Sequence, residues 1–242
     1  MDKYLVNDRP WPSTVAANVR AELMALLTAS ESLLDGSLED NPEQLREQLT
    51  AIRQGTAWLQ RHVENLLSAE ALRQGRLHLH LEVTALEDWL RETQPVVRPL
   101  LLARKQSLRI VRRGALRPVT MDRRRITQVV MNLIANASDR TDASGGIELS
   151  LASRKNGMRV TVADSGPAVR ELPPGQGFGA FEQEVPLDQR AEKRAVEGLA
   201  LSQAIVEQHE GQTGVTNLPG GGAAFWFELP ARWSRRGEVR PG

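Results

Sequence analysis

The first 80 residues contain almost none of the residues that interrupt helices. Only three of the 19 glycines lie there, and Pro42 is the only proline between Pro12 and Pro95. A segment nearly free of both residue types permits long helices, whereas glycine supports turns and close backbone approaches. Most other glycines follow residue 140. This segregation predicts two domains of different class, with a boundary near Gly75.

Apolar residues in the first segment recur at alternating steps of three and four. The positions are Val15, Val19, Leu23, Leu26, Ser30 and Leu33, then Leu45, Leu49, Ile52, Thr56, Leu59, Val63 and Leu66. This spacing is typical of helices packed in a bundle, so residues 13–75 are predicted to form an antiparallel helical hairpin. Because one hairpin buries little, we expect a homodimer with a four-helix bundle, although packing on the second half of the same chain is the alternative.

The second segment mixes strand and helix patterns, which predicts an α+β fold with a layered α/β sandwich. Strands are predicted at residues 76–83, 107–112, 147–152, 158–163 and 223–229, and helices from about 84 to 105, after Asp122, and at 198–208. Residues 76–231 form this predicted domain. Residues 1–12 and 232–242 are expected to be tails, the latter basic and flexible.

Composition excludes several classes of function. The chain has no cysteine, so disulfides, thiolate metal sites and cysteine nucleophiles are ruled out. A formal net charge of +1 gives no general attraction to nucleic acid or anionic lipid. The basic run at residues 104–125 has no interleaved aromatic residues, so we expect a solvated face and no nucleic-acid partner. Without a long apolar run or signal-peptide core, we expect a cytoplasmic protein without membrane insertion.

Four stretches of the second segment carry recognisable motifs in a fixed order. They are residues 122–141, which include two asparagines, residues 162–166, residues 178–183 and residues 198–211. In this order they resemble the N box, first glycine box, F box and second glycine box of the sensor histidine kinases. The resemblance covers nearly the whole chain. It implies a histidine-kinase-type (Bergerat) ATPase sandwich preceded by the dimerisation and phosphotransfer hairpin.

The resemblance also assigns nucleotide-binding residues. Asn132 and Asn136 lie one helical turn apart, and in the family such amides meet the phosphates and hold Mg²⁺, the metal role falling to Asn136 when ATP binds. Asp164 would accept a hydrogen bond from the adenine amino group, Gly166 would allow close approach of the purine, and Gly198 belongs to the phosphate loop. The residues alone also fit a solvated asparagine pair and an ordinary strand-ending turn.

The first helix lacks the residue that carries the family's phosphotransfer chemistry. Ala21 occupies the position of the phosphoaccepting histidine, and a methyl group has no lone pair to form a phosphoramidate. Glu22 remains as the neighbouring base, and Ala25 replaces the residue that would orient water. We therefore predict no catalytic residue on this helix. The histidines elsewhere are expected to be half-exposed structural residues: His62, His78, His80 and His209.

The nucleotide motifs depart as well. Family glycines are replaced, and an acidic residue stands where the N box is basic: Ala168, Val196, Ala200 and Asp139. Added Cβ atoms keep backbone N–H groups away from a triphosphate. Basic residues of the lid region could compensate: Arg190, Lys193 and Arg194. We expect binding of ATP and Mg²⁺ to be weakened or lost.

These observations predict a dimeric scaffold or regulator of two-component signalling that binds a response-regulator receiver domain or another histidine kinase. Its partner-binding residues would lie on the first helix: Val19, Arg20, Glu22 and Met24. Two enzymatic or transfer functions remain as alternatives. One is an ATP-dependent kinase acting on a partner histidine in trans. The other is a phosphotransfer-type protein, which normally needs the histidine that Ala21 replaces.

Overall fold

The computed structural model describes residues 13–34, 41–102, 104–169, 178 and 190–231. The chain divides into two compact units, Met1–Leu77 and His78–Gly242. Among the described helices, none has the length and apolar character that a bilayer crossing requires.

The described part of the first unit contains two helices, α1 (Ser13–Leu34) and α2 (Pro42–Arg73). The Asn41 side chain accepts a hydrogen bond from the backbone N–H of Gln44, and Pro42 occupies the first helical turn, where its missing N–H costs nothing. The helices approach closely at Gly55. A Cβ at this position would lie 2.6 Å from Oε1 of Glu22. Both helices form where the apolar spacing predicts them.

The second unit contains seven strands and three helices in its described part. In chain order they are β1 (Glu82–Thr84), α3 (Leu86–Leu102), β2 (Ser107–Arg113), β3 (Val119–Met121), α4 (Arg123–Arg140), β4 (Gly146–Arg154), β5 (Gly157–Asp164), α5 (Arg190–Gln208), β6 (Gln212–Asn217) and β7 (Ala223–Pro230). Five strands form a sheet in the order β2-β4-β5-β7-β6, in which only β2 and β4 run parallel. Strands β1 and β3 form a separate antiparallel pair.

The core lies between the three helices and one face of the large sheet. Alternate residues of β4, β5 and β7 are buried there, as strand geometry requires. Val160 and Phe227, for example, are fully buried, whereas their neighbours Arg159 and Trp226 lie on the opposite face. This arrangement confirms the predicted α+β fold and its sandwich of helices on a sheet.

Three predicted elements differ from the structure. The helix predicted at residues 198–208 is α5, which begins at Arg190. The alternating leucines of residues 76–83 predict a strand, but β1 covers only Glu82–Thr84. The backbone N–H of His80 donates to the Asp122 carboxylate, 2.9 Å away, rather than to a neighbouring strand. The helix expected to reach Lys105 ends at Leu102. The helix continues through Pro95 and Pro99. Proline has no backbone N–H to donate to the carbonyl four residues earlier, and because Pro95 is exposed, water can solvate such a carbonyl instead.

Five arginines of residues 104–125 form ion pairs near the surface. Their carboxylate partners come from several elements: Arg104 pairs with Asp139, Arg109 and Arg113 with Glu148, Arg112 with Glu87, and Arg123 with Glu82 and Glu92. Exposed pairs of this kind contribute about 1 kcal/mol or less each. Carboxylates from outside the run therefore compensate part of its positive charge.

Candidate functional site

Helix α4 positions the two asparagines that the sequence identifies. Its N-cap is Asp122, whose carboxylate accepts a hydrogen bond from the backbone N–H of Arg125 at 3.0 Å. The apolar face of α4, with Ile126, Val129 and Leu133, packs into the core and fixes the rotation of the helix. Both asparagine side chains are buried as a result.

Asn132 connects α4 to α5. Its Nδ2 group donates to the carbonyl oxygen of Gly198 at 3.2 Å and lies 3.3 Å from the hydroxyl of Ser202. The Ser202 hydroxyl donates to the same carbonyl. The structure thus brings Asn132 and Gly198 together, as expected, through contacts that also hold the two helices. A Cβ at Gly198 would make only an ordinary contact, 3.5 Å from Cγ of Asn132.

Asn136 presents an unused amide. Its Nδ2 atom is buried, and it has no hydrogen-bond partner within the described part of the chain. Leaving a buried donor unpaired costs about 1–3 kcal/mol, so the position suits a ligand that accepts this hydrogen bond. The amide oxygen is also a ligand type that Mg²⁺ accepts. This side chain therefore fits the phosphates and metal of a bound Mg-ATP.

Asp164 ends β5, and its side chain is completely buried. Oxygen Oδ1 accepts the backbone N–H of Gly166 at 3.0 Å, and Oδ2 accepts Nε of Arg140 at 3.2 Å. The carboxylate lies at the end of a strand, and its contact with adenine stays a prediction. Sequence reasoning did not identify Arg140, the last residue of α4, as part of this site.

Glycines around Asp164 are required by the backbone itself. A Cβ at Gly166 would lie 2.3 Å from the carbonyl oxygen of Arg140. Gly222 has a φ of +89°, and a Cβ there would lie 2.1 Å from the carbonyl oxygen of Asp164. Gly222 was also missed, although the run of three glycines at 220–222 signals a close approach.

Several predicted site residues lie outside the described residues. Of the F box only Phe178 is described, and its buried ring lies 5.9 Å from that of Phe225. The described part of the structure likewise does not include four side chains of the predicted lid and phosphate loop: Arg190, Lys193, Arg194 and Val196. Ala168 is exposed, Ala200 is half-buried, and the Asp139 carboxylate is paired with Arg104 at 3.2 Å.

On α1, the positions at which this sequence departs from the histidine-kinase pattern lie at the surface. Ala21 and Ala25 are exposed, and Glu22 is half-buried beside Gly55. Of the residues predicted to bind a partner, Arg20 is exposed and Met24 is 56% exposed.

The histidines divide into two groups. His78 and His80 are exposed, but His62 and His209 are buried, which corrects the expectation that all would be half-exposed. His62 stacks on Trp58, with ring centres 4.8 Å apart. His209 fills a core position between the end of α5 and the start of α4, where burial lowers its pKa. None of the described side chains forms a cluster of three His, Cys, Asp or Glu residues that could hold a metal.

The family model described as histidine kinase-, DNA gyrase B- and HSP90-like ATPase matches residues 121–232. This range contains both asparagines, Asp164 and three glycines of the candidate site, Gly166, Gly198 and Gly222.

Curated relatives are sensor kinases. The chain is 32% identical over 213 residues to the adaptive-response sensory kinase SasA of Thermosynechococcus vestitus, covering 86% of this chain and 54% of the relative. It is 25% identical over 217 residues to the sensor protein KdpD of Clostridium acetobutylicum, covering 90% of this chain and 24% of the relative. The chain therefore spans only about a quarter to a half of the length of these two relatives.

Solved structures share the fold. Full-length ShkA in complex with AMPPNP aligns with a TM-score of 0.57 at 23% identity, over 93% of this chain and 47% of ShkA. Histidine kinase ThkA in complex with the response regulator TrrA aligns with a TM-score of 0.57 at 22% identity, over 92% of this chain and 61% of ThkA. These structures show the shared fold. The family match over residues 121–232 and the curated relatives, taken with the motifs, show that the second unit carries a histidine-kinase-type ATPase core.

Proposed function

We propose that the chain acts in two-component signalling as a cytoplasmic, dimeric scaffold or regulator that binds a response-regulator receiver domain or another histidine kinase. The observation that carries this proposal is the exposed Ala21 on α1. A helix surface without the phosphoaccepting imidazole can still bind a protein, but it cannot receive or pass on a phosphoryl group.

The surface around Ala21 supports binding. Arg20 supplies a charge, and Met24 supplies an exposed, adaptable apolar side chain of the kind that suits protein interfaces. Val19 and Glu22, half-buried beside them, complete the proposed docking surface. The complex of ThkA with its response regulator provides a precedent for a chain of similar fold.

The proposal is tested by measuring calorimetrically whether the chain binds purified receiver domains and histidine kinases encoded in its genome. Met24→Glu should weaken binding at least about tenfold, because a charge replaces a desolvated thioether. Leu34→Glu is the matched control, since Leu34 lies on the same helix and is 86% exposed. It should leave the affinity within about twofold of wild type. Failure of every receiver and kinase to bind, or equal affinities of the two variants, would contradict the proposal.

The orphan amide of Asn136 favours a second candidate function, an ATP-dependent kinase that acts on a histidine of a partner in trans. In this reaction the γ-phosphorus of ATP would bond to an imidazole nitrogen of the partner as its bond to the ADP oxygen breaks. Asn136 would contact the phosphates and Mg²⁺, which would neutralise the charge developing on the leaving ADP.

The two candidate functions predict different results when radiolabelled ATP is supplied. A kinase would label a histidine-containing partner bundle, and Asn136→Ala would abolish labelling while leaving receiver binding intact. Absence of label on any candidate partner at millimolar Mg-ATP would exclude the second function and leave the scaffold.

A further inference from the structure

Arg140 makes three contacts around the carboxylate assigned to the base. Its Nε donates to Oδ2 of Asp164 at 3.2 Å, and its Nη2 donates to the carbonyl oxygen of Pro167. Its Cζ lies 5.8 Å from the ring centre of Phe225, within the range of a cation–π contact. The guanidinium is therefore held in place by a carboxylate, a backbone carbonyl and an aromatic ring.

These contacts occupy Asp164. No part of its side chain is exposed, and its second oxygen already accepts the backbone N–H of Gly166. Because the carboxylate is fully buried, a purine amino group could reach it only after groups around it have moved, and Arg140 is the charged group that holds it. A guanidinium also makes the stronger hydrogen bond, because charge-assisted bonds to carboxylates are roughly twice as strong as those from neutral donors.

We propose that Arg140 is an internal competitor for the base, which occupies Asp164 and thereby lowers the affinity of the site for adenine nucleotides. This inference rests on the proposed nucleotide site. According to this inference, the low affinity for adenine nucleotides arises at the position of the adenine base as well as at the phosphate loop. Asn136, one turn away on α4, remains available to the phosphates while the base position is closed.

The experiment measures the binding of a fluorescent ATP analogue in the presence of Mg²⁺ to the whole chain. Arg140→Leu keeps an aliphatic side chain over Phe225 but removes the guanidinium that donates to Oδ2 of Asp164, while the backbone N–H of Gly166 still donates to Oδ1. We expect it to raise the affinity at least about tenfold over wild type. Arg159→Leu is the matched control, because Arg159 also pairs with a carboxylate and stacks on an aromatic ring, Glu228 and Trp226, on the opposite face of the sheet. It should leave the affinity unchanged.

Arg140→Leu leaves a buried carboxylate without its partner and could unfold the domain. A second pair of variants avoids this charge: Asp164→Asn alone and Asp164→Asn with Arg140→Leu. Asparagine keeps an oxygen that accepts the base amino group, so the double variant should bind the analogue more tightly than Asp164→Asn. Adding Asn136→Ala should abolish the gain if the analogue occupies this site.

The outcomes separate this inference from nucleotide binding itself. Tighter binding by the Arg140 variants supports it. If wild type and the Arg140 variants bind the analogue equally well, ATP binding stands and the role of Arg140 is overturned. If no variant binds at millimolar nucleotide, release of Asp164 does not restore the site. The role of Arg140 and the nucleotide site then both fail, while the scaffold function stands.

Discussion

His209 joins the end of α5 to the start of α4 through both ring nitrogens. Nδ1 lies 2.8 Å from the carbonyl oxygen of Ile205, and Nε2 accepts the backbone N–H of Asp122 at 3.1 Å. These partners require the neutral imidazole with its proton on Nδ1. Burial lowers the pKa below the ordinary value near 6.5, although the nearby Asp122 carboxylate opposes the shift.

This shift predicts a pH dependence of folding. Because the unfolded chain binds the proton first, the free energy of unfolding should be fully retained above about pH 6.5 and should decrease as the pH falls toward the lowered pKa. His209→Gln should cost about 2 kcal/mol at pH 7.5 through the lost hydrogen bonds, and it should flatten the dependence between pH 7.5 and 5. Urea unfolding across this range measures both effects.

The exposed His80 provides the control, and His80→Gln should reproduce the wild-type pH profile. An unchanged slope in His209→Gln would show that another group causes the pH dependence.

At the same scale, the resemblance to the N box could identify Asn132 and Asn136 but not Arg140. The spacing of the two asparagines adds only that both lie on one face of a helix, which is a property of nearby residues. The pairing of Arg140 with Asp164 joins residues 24 apart and depends on where the end of α4 meets the end of β5. A basic residue in the last turn of α4 was the available signal, and it equally fits a residue that interacts with the helix dipole.

Among the elements, α4 depends most on a single residue at its start. One oxygen of Asp122 caps the helix at the N–H of Arg125, and the other accepts the N–H of His80. Asp122 is also buried. It therefore fixes both the helix that carries the asparagines and the chain segment that precedes β1.

Asp122→Ala should lower the free energy of unfolding of the second unit by about 2 kcal/mol, at the upper end for an N-cap, because two backbone donors lose their acceptor. Asp122→Asn retains one acceptor and should recover part of the loss. Asp139→Ala is the matched control on the same helix, since its exposed pair with Arg104 contributes about 1 kcal/mol or less. Chemical denaturation monitored by circular dichroism compares the three variants. Equal losses in Asp122→Ala and Asp139→Ala would contradict the assigned role.

Strand β6 shows why some elements could not be predicted. Its residues, Gln212–Asn217, are mostly polar and do not alternate. The strand forms at the sheet edge by pairing with β7, where Gly214 lies opposite Trp226. A Cβ on Gly214 would lie 2.3 Å from the indole ring, so the tryptophan occupies the space above the glycine. Hairpin β4–β5, by contrast, alternates clearly and was predicted nearly to its ends.

For the whole molecule, the two units differ in how completely they bury their apolar residues. The second unit has a continuous core between helices and sheet. In the described part of the first unit, the apolar positions of α1 and α2 with steps of three and four are half-buried or exposed within one chain, and Leu23 and Leu49 are each 52% exposed. Apolar side chains repeated along a helix and left exposed are typical of an interface. This observation supports the proposed four-helix homodimer.

If two hairpins pack through these positions, burying the exposed half of each leucine contributes about 1 kcal/mol. A glutamate there would instead bury an unpaired charge in the interface, which would cost more free energy than the leucine contacts contribute. Leu23→Glu and Leu49→Glu should therefore each convert the dimer into a monomer, as measured by light scattering coupled to size-exclusion chromatography. Val83→Glu is the control, since Val83 is 77% exposed in the second unit and its replacement should leave the dimer intact. A wild-type chain that is monomeric at micromolar concentration, or variants that remain dimeric, would contradict the proposed bundle.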